Sequence, residues 1–182
     1  MSIIILDRDG VINHDSDDFI KSADEWLPIE GSLEAIAQFN HAGYSVAVAT
    51  NQSGIARGLY ELEDLHNMHK KMAMLLESIG GAVDAIFYCP HLPTAHCACR
   101  KPKPGMLIEI AKRFKLDSLA GVYYVGDSYR DIEAARAAGA IPVLVKTGKG
   151  QRTIENCGAE DLADVLIFDD LMAVANNLLV KK

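Results

Sequence analysis

Two aspartates, Asp7 and Asp9, follow a short apolar run in the segment IIILDRDG. In an extended chain, side chains two residues apart point to the same side. Two carboxylates at the open end of a strand repel each other unless a proton or a cation lies between them. The pattern therefore predicts a site for a cation or a shared proton, although an N-cap or turn aspartate beside Gly10 would also give D-x-D-G.

Two further apolar runs end in polar groups. Thr50 closes one run and is followed by two amides, and Asp127 follows the other. Carboxylates, a hydroxyl and a lysine brought together suit Mg²⁺ and a phosphate, because Mg²⁺ prefers hard oxygen ligands and shares them with phosphate. Taken singly, Thr50 would be a turn former and Asp127 a helix cap. Their order at successive strand ends favours a common site.

The segment CPHLPTAHCACRKPKPG is rich in cysteine and histidine. It contains two short pairs, Cys89-x-His91 and Cys97-x-Cys99, whose three thiolates and one imidazole suit a closed tetrahedral Zn²⁺ site. His91 is preferred to His96 because it repeats the paired spacing. Such a closed ligand set has no position for a catalytic water, so the zinc is expected to hold the loop in place rather than to react.

Short apolar runs alternate with longer amphipathic stretches along the chain. This alternation predicts an α/β fold, with a Rossmann-like, mostly parallel sheet and helices on both faces. Strands are expected at 3–6, 44–50, 84–89, 122–126, 141–146 and 164–168, and helices at 32–43, 62–81, 104–116 and 129–140. In such sheets ligands bind at the carboxyl ends of the strands, where the acids are found.

Length and composition favour a single soluble domain over residues 1–182. The chain has 182 residues, of which 49% are hydrophobic and 24% charged. No apolar run approaches the roughly 20 residues that cross a bilayer, and the N-terminal run has no basic flank. A cytoplasmic monomer without a membrane partner is therefore expected. The formal net charge of −7 argues against a nucleic-acid partner, although a few local cations can still bind a small anion.

The motifs D-x-D-G, T-N-Q, R-K-P-K and G-D-x-x-x-D, in this order, resemble the haloacid dehalogenase (HAD) superfamily of aspartate-nucleophile phosphatases. The resemblance covers nearly the whole chain and implies an HAD-type fold and Mg²⁺-dependent hydrolysis of a phosphate ester. Within the superfamily, LDRDGVIN, TNQSGIARG, the Cys/His loop and CRKPKPGM resemble the branch that removes the 7-phosphate from a heptose 1,7-bisphosphate. That branch serves the synthesis of nucleotide-activated heptose for lipopolysaccharide.

Two alternatives stay open beside this interpretation. The histidinol-phosphate phosphatases form a related branch that also has a Cys/His loop, but they tend to read TNQDG and lack the KPKPGM ending. In another class, the chain could be a zinc-containing binding module without catalysis. The net charge of −7 and the intact aspartate pair argue against a module of that kind.

The resemblance assigns chemical roles to the motifs. Asp7 is expected to attack phosphorus and form an aspartyl-phosphate. Asp9 is expected to protonate the leaving sugar oxygen, for which its pKa should be raised. Mg²⁺ would be held by Asp7, the backbone carbonyl of Asp9, and Asp127. Thr50 and Lys101 would hold the phosphoryl oxygens.

Other residues are expected to contact or support the phosphorylated sugar. Arg100 can bind a hydroxyl pair or a second phosphate with two hydrogen bonds. Lys103 competes with Lys101 as the phosphate-binding lysine, and Asp131 is expected to orient Lys101 or a metal-bound water. No large cap domain fits between the first two motifs, so loops should form the walls of the site. The predicted substrate-binding residues are Asp15, Asp18, Asn51, Gln52, Ser53, Arg100 and Ser128, the last standing where the resembled pattern has lysine.

Overall fold

The computed structural model describes residues 2–179 and contains one sheet of six parallel strands with helices on both faces. The strands are β1 (Ser2–Leu6), β2 (Tyr44–Asn51), β3 (Ala85–Cys89), β4 (Tyr123–Gly126), β5 (Ile141–Val145) and β6 (Leu166–Phe168). The helices are α1 (Ser32–His41), α2 (Leu62–Glu77), α3 (Gly105–Arg113), α4 (Tyr129–Ala138), α5 (Gly150–Asn156) and α6 (Leu171–Leu179). The predicted fold class is confirmed.

The strand order β3-β2-β1-β4-β5-β6 places β1 beside β4 at the centre of the sheet. The chain moves outward from β1 through β2 and β3, and then resumes on the other side, so a crevice opens at the carboxyl ends of β1 and β4. Leu6 pairs with Val125 in the register, and the Asp7 N–H donates to the Val125 carbonyl at 2.8 Å. Asp7 and Asp127 therefore leave neighbouring strands at this crevice.

Side chains of β1 alternate between two hydrophobic cores. Ile4 and Leu6 pack with residues of α1, α2 and α6, whereas Ile3 and Ile5 pack with residues of α3 and α4. All four are at most 4% exposed, as is typical of a parallel strand covered on both faces. Packing from both sides fixes the end of β1, where Asp7 begins the crevice.

The loop between β1 and α1 forms one wall of the crevice. It is anchored by Trp26, which is fully buried, and by Lys71 of α2. Lys71 Nζ donates to the carbonyls of Ala23 at 2.6 Å and Trp26 at 2.8 Å. As expected, a loop occupies this position, and residues 2–179 include no separate cap domain.

The observed elements differ from the predicted ones at helix ends and near the C-terminus. α2 ends at Glu77 rather than at residue 81, because the chain turns back through Gly80 with a φ of 76°. α5 and α6 were not predicted from the sequence. α5 is short and polar, whereas α6 buries Leu171, Val174, Ala175 and Leu178 in the core that it shares with α1.

Among the described residues, no helix combines the length and apolar character needed to span a membrane.

Candidate active site

A buried lysine lies between two carboxylates in the crevice. Lys101 Nζ is 2.8 Å from Asp7 Oδ2 and 2.7 Å from Asp131 Oδ1, and it donates to the Tyr124 hydroxyl at 2.9 Å. Burial lowers the pKa of Lys101, but the charges of Asp131 and Asp7 outweigh this and raise it above its ordinary value. The ammonium group therefore stays charged and can bind a phosphoryl oxygen.

Three carboxylates crowd together beside this lysine. Asp7, Asp127 and Asp131 each place an oxygen within 4.8 Å of the others. Burial, opposed by Lys101 and reinforced by Asp131, raises the pKa of Asp7 to about 7. Burial and then the charges of Asp131 and Asp7 raise the pKa of Asp127 to about 8. Asp131 contacts Lys101 and accepts hydrogen bonds from Tyr124 and from both the hydroxyl and the N–H of Ser128. Asp7 and Asp127 have fewer such partners, so they are the side chains that best fit a hard divalent cation such as Mg²⁺.

The Asp127 carboxylate lies close against two glycines. Its Oδ2 accepts a hydrogen bond from the backbone N–H of Lys149 at 2.7 Å. A Cβ atom would lie 2.0 Å from this oxygen if placed on Gly10, and 2.3 Å from it if placed on Gly148. Both glycines also have positive φ, at 82° and 56°. Glycine is therefore required at both positions for Asp127 to reach the crevice.

The Asp9 carboxylate stands apart from the crowded acids. Arg8 Nη2 lies 2.9 and 3.1 Å from its two oxygens, and Asn13 Nδ2 and Gln52 Nε2 each donate to it at 2.8 Å. Burial raises the pKa of Asp9, but Arg8 and the two amides overcome this and lower it. The expectation of a raised pKa is wrong for this site, because the sequence did not indicate that these donors surround Asp9.

The TNQSG turn brings a hydroxyl and a buried amide to the crevice. Thr50 and Ser53 line it, and Thr50 Oγ1 accepts a hydrogen bond from Gln52 Nε2 at 2.9 Å. Gln52 was predicted to bind substrate, and it also lines the crevice although it is only 3% exposed. Its amide is already engaged by Asp9, Thr50 and Tyr60. Its observed contacts are internal to the protein.

The structure separates the two candidate phosphate-binding lysines. Lys101 lines the crevice and is tied to β2, because Asn51 exchanges hydrogen bonds with its peptide. Lys103 Nζ instead donates to two backbone carbonyls of the Cys/His loop, at 3.0 and 2.9 Å. Arg100 lines the crevice beside Lys101, as predicted from its place in the R-K-P-K motif.

The predicted substrate-binding acids are placed differently from one another. Asp15 lines the crevice, and its Oδ2 lies 2.7 Å from Lys149 Nζ. Asp18 is exposed and is absent from the crevice lining, so its position does not support the role expected of it. Ser128 lines the crevice, and its hydroxyl donates to Asp131 Oδ2 at 2.5 Å within the capping box of α4.

Several basic residues of the crevice were missed by the sequence reasoning. Arg57, Arg130 and Lys149 line it together with Arg100. Lys149 is paired with Asp15, whereas none of the three arginines forms an ion pair within residues 2–179. Burial, with Arg130 and Arg57 among the further causes, lowers the pKa of Arg100. A net charge of −7 hides this local positive charge. Arg57 lies in TNQSGIARG and Arg130 at a variable position of G-D-x-x-x-D, so neither motif singled out its arginine.

The four predicted zinc ligands come together in one cluster. Cys89 Sγ lies 3.2 Å from Cys99 Sγ and 3.6 Å from Cys97 Sγ. His91 Nδ1 lies 3.3 Å from Cys99 Sγ and 3.6 Å from Cys89 Sγ. These separations are close to those around a tetrahedral Zn²⁺ with bonds of about 2.3 Å to sulfur. The donor set therefore fits a structural zinc, and Lys101 follows its last ligand by two residues.

Comparisons with known proteins agree with this geometry. A family model described as HAD-hydrolase-like matches residues 98–174. The chain is also 58% identical over 179 residues to the D-glycero-beta-D-manno-heptose-1,7-bisphosphate 7-phosphatase of Pseudomonas putida, covering 98% of this chain and 100% of that protein. The chain belongs to this family of HAD-like phosphatases.

Solved structures place this HAD-like phosphatase among similar enzymes. The D,D-heptose 1,7-bisphosphate phosphatase of Bordetella bronchiseptica, crystallised with magnesium and phosphate, superposes with a TM-score of 0.96 at 52% identity, covering 100% of both chains. The corresponding protein of Burkholderia thailandensis gives a TM-score of 0.76 at 42% identity, covering 98% of this chain and 99% of that one. The predicted superfamily and its hydrolytic class are therefore confirmed, and a zinc-containing module without catalysis is not supported.

Proposed function

We propose that the chain hydrolyses the 7-phosphate of D-glycero-β-D-manno-heptose 1,7-bisphosphate. The observation that carries this proposal is the buried contact of Lys101 with Asp7, beside Asp127 at the same strand edge. In this proposal the arrangement unites Asp7 as nucleophile, Lys101 as phosphate-binding cation and Asp127 as metal-binding acid. Relatives that are 58% and 53% identical are named for this activity.

Asp7 is the proposed nucleophile. Its carboxylate attacks phosphorus and forms an aspartyl-phosphate while the bond between phosphorus and the sugar oxygen breaks. Lys101 and Thr50 bind the phosphoryl oxygens, and Asp9 donates a proton to the leaving oxygen. A water molecule then attacks the aspartyl-phosphate, and Asp9 accepts the proton of that water. Phosphate is released and Asp7 is regenerated.

The proton on Asp9 must be acquired in the presence of substrate. In the free site, Arg8 and two amides keep the pKa of Asp9 low. An anionic phosphate ester beside Asp9 disfavours a second negative charge there and so raises its pKa. We infer that substrate binding prepares Asp9 to act as the acid.

Asp7 and Asp127 would hold Mg²⁺, with the backbone carbonyl of Asp9 as a third ligand. When bound, Mg²⁺ supplies positive charge that offsets the repulsion between these carboxylates and the phosphate. The raised pKa values of Asp7 and Asp127 support this assignment. Burial and, after it, the neighbouring carboxylates disfavour their charged forms more than Lys101 and the Lys149 N–H stabilise them, and a divalent cation would offset both effects.

Three arginines suit the second phosphate of the substrate. Arg57, Arg100 and Arg130 line the crevice without a carboxylate partner among the described residues. A guanidinium group binds phosphate with two parallel hydrogen bonds. A substrate with one phosphate would leave most of this charge uncompensated, which favours a bisphosphate over histidinol phosphate.

Zinc is proposed to have a mechanical role. The Cys/His loop offers little apolar surface, since most of its residues from position 90 to position 100 are partly or fully exposed. Ordering such a loop has a large entropic cost, which metal ligation can offset. The loop then presents Arg100 and Lys101 to the crevice.

We also propose the cellular setting and the assembly state. The chain is proposed to act as a cytoplasmic monomer of one domain, in the pathway to nucleotide-activated heptose for lipopolysaccharide. One continuous sheet with a core on each face supports the single domain. Residue 1 and residues 180–182 of the predicted domain lie outside the described residues.

Phosphate release provides the test. Initial rates with the α- and β-anomers of the heptose bisphosphate and with histidinol phosphate, all with Mg²⁺, should be highest for the β-anomer. The Asp7→Asn variant should keep its circular dichroism spectrum and lose phosphate release. Faster turnover of histidinol phosphate than of either anomer would overturn the sugar assignment.

A further inference from the structure

Tyr60 begins a chain of hydrogen bonds that ends at two residues of the proposed reaction. Its hydroxyl donates to Gln52 Oε1 at 2.5 Å. Gln52 Nε2 in turn donates to Asp9 Oδ2 at 2.8 Å and to Thr50 Oγ1 at 2.9 Å. The single amide of Gln52 therefore joins the proposed proton donor to the hydroxyl that holds the phosphoryl group.

This chain of contacts is built into the protein interior. Tyr60 is 6% exposed and Gln52 is 3% exposed. The backbone N–H of Gln52 is fixed by the Cys89 carbonyl at 2.7 Å. Gly54 makes room for the tyrosine ring, because a Cβ at that position would lie 2.2 Å from Tyr60 Cε1. Water cannot readily replace the tyrosine hydroxyl in so enclosed a place.

We propose that Tyr60 is a positioning residue for phosphate-ester hydrolysis. By fixing the amide of Gln52, it holds Asp9 and Thr50 at a set separation, so that the leaving oxygen meets its proton donor when the phosphoryl group is bound. This inference rests on the proposed function, because it assigns Asp9 and Thr50 the roles given above.

The physical reason lies in the two ends of the amide. A glutamine amide has an acceptor oxygen at one end and a donor nitrogen at the other. Tyr60 satisfies the oxygen, which leaves the nitrogen facing its two acceptors. Without the hydroxyl, Gln52 Oε1 is buried with no donor, and rotation of the amide toward the Thr50 hydroxyl, which can donate to it, withdraws the amide nitrogen from Asp9.

A comparison of two leaving groups distinguishes a positioning role of Tyr60 from a general disruption of the active site. An alkyl phosphate needs its leaving oxygen protonated, whereas 4-nitrophenyl phosphate releases a stable anion that needs no proton. In Tyr60→Phe, we expect kcat for the alkyl phosphate to fall about tenfold with KM within about twofold, and kcat for the aryl phosphate to fall less than about threefold. Equal losses on both substrates, or no loss, would overturn the proposal.

A double-mutant comparison tests the route through Gln52. In a Gln52→Ala background, the further change Tyr60→Phe should leave kcat unchanged, because the amide that it positions is gone. Independent effects that multiply would contradict the proposal. Gln52→Met keeps the length of the side chain but removes the acceptor and both donors without adding a charge beside Asp9. It should therefore show the same selective loss on the alkyl phosphate even if another variant folds poorly.

Two controls complete the design. Tyr123→Phe removes a hydroxyl from a half-buried tyrosine at the start of β4, the end of the strand away from the crevice. It should leave the rates on the alkyl and the aryl phosphate unchanged. The alkyl phosphate is the substrate that the wild-type protein hydrolyses fastest in the panel described above. A failure of the heptose assignment therefore changes the substrate used but leaves the comparison of leaving groups intact.

Discussion

The side chain of Asn51 and the peptide of Lys101 are joined by two hydrogen bonds. Asn51 Nδ2 donates to the Lys101 carbonyl at 3.2 Å, and the Lys101 N–H donates to Asn51 Oδ1 at 3.1 Å. Asn51 is the last residue of β2, whereas Lys101 follows the zinc ligands. The lysine is thus fixed to the sheet through its backbone and to Asp7 and Asp131 through its ammonium group.

Replacing Asn51 with alanine should impair catalysis by releasing this backbone. We expect Asn51→Ala to lower kcat about tenfold, since small displacements of Lys101, the proposed phosphate-binding group, are costly. It should also reduce the free energy of unfolding by about 1–2 kcal/mol, because two hydrogen bonds are lost. Initial rates and urea denaturation measure these effects. Asn67→Ala, at an exposed position of α2, is the control, and an unchanged kcat in Asn51→Ala would contradict the prediction.

Breaking the zinc cluster should disable the enzyme through Lys101. Cys99→Ser is expected to lose most of its zinc and to lower kcat by more than about tenfold, because the loop that presents the lysine is no longer held. The zinc content of each variant is determined by elemental mass spectrometry, and the rate of phosphate release is measured on the same preparation. Cys157→Ser lies outside the cluster and should keep both zinc and activity. Full activity in zinc-free Cys99→Ser would show that the metal does not position Lys101.

The sequence predicted the parts of the site that follow strands. Asp7, Thr50 and Asp127 were placed correctly because apolar runs and the order of motifs identify strand ends in a parallel sheet. The zinc ligands were predicted because paired cysteine spacing is specific. These features depend on local order along the chain, which a single sequence shows directly.

Other features depend on tertiary contacts that no local pattern encodes. Arg8 lies between the two acids of the first motif, and its full burial against Asp9 and His69 could not be inferred from its charge. Arg130 reaches the crevice because α4 begins beside it, and Tyr60 reaches Gln52 because Gly54 leaves room for its ring. Such placements follow from packing between distant segments.

Gly148 should be intolerant of any side chain because of Asp127. Alanine there would place its Cβ 2.3 Å from Asp127 Oδ2 and would have to adopt a φ of 56°. We expect Gly148→Ala to weaken Mg²⁺ activation at least about tenfold, because the displaced carboxylate is a proposed ligand. Gly121→Ala is the matched control, since Gly121 has a φ of 82° but a Cβ added there would meet no atom within 4 Å. Equal effects of the two variants on Mg²⁺ activation would show that backbone strain alone is responsible.

Protons and Mg²⁺ should compete for the crowded acids. Burial and neighbouring charges raise the pKa of Asp7 from 3.8 to about 7 and that of Asp127 to about 8, so both bind protons at neutral pH in the cation-free protein. Between pH 4 and pH 8 the folded state holds these protons more tightly than the unfolded state. Their contribution to stability is therefore lost as the pH rises through this range. A bound cation should restore it.

We therefore expect Mg²⁺ to raise the melting temperature more at pH 8 than at pH 6. The apparent Kd for Mg²⁺ should increase at least about tenfold when the pH is lowered from 8 to 6. Thermal shift titrations at constant ionic strength measure both quantities. Asp127→Asn cannot release a proton at this position, so it should bind Mg²⁺ weakly and with a smaller pH dependence than the wild-type protein, the remainder coming from Asp7. An Mg²⁺ affinity in the wild-type protein that is equal at pH 6 and pH 8 would show that these carboxylates are not protonated where the cation binds.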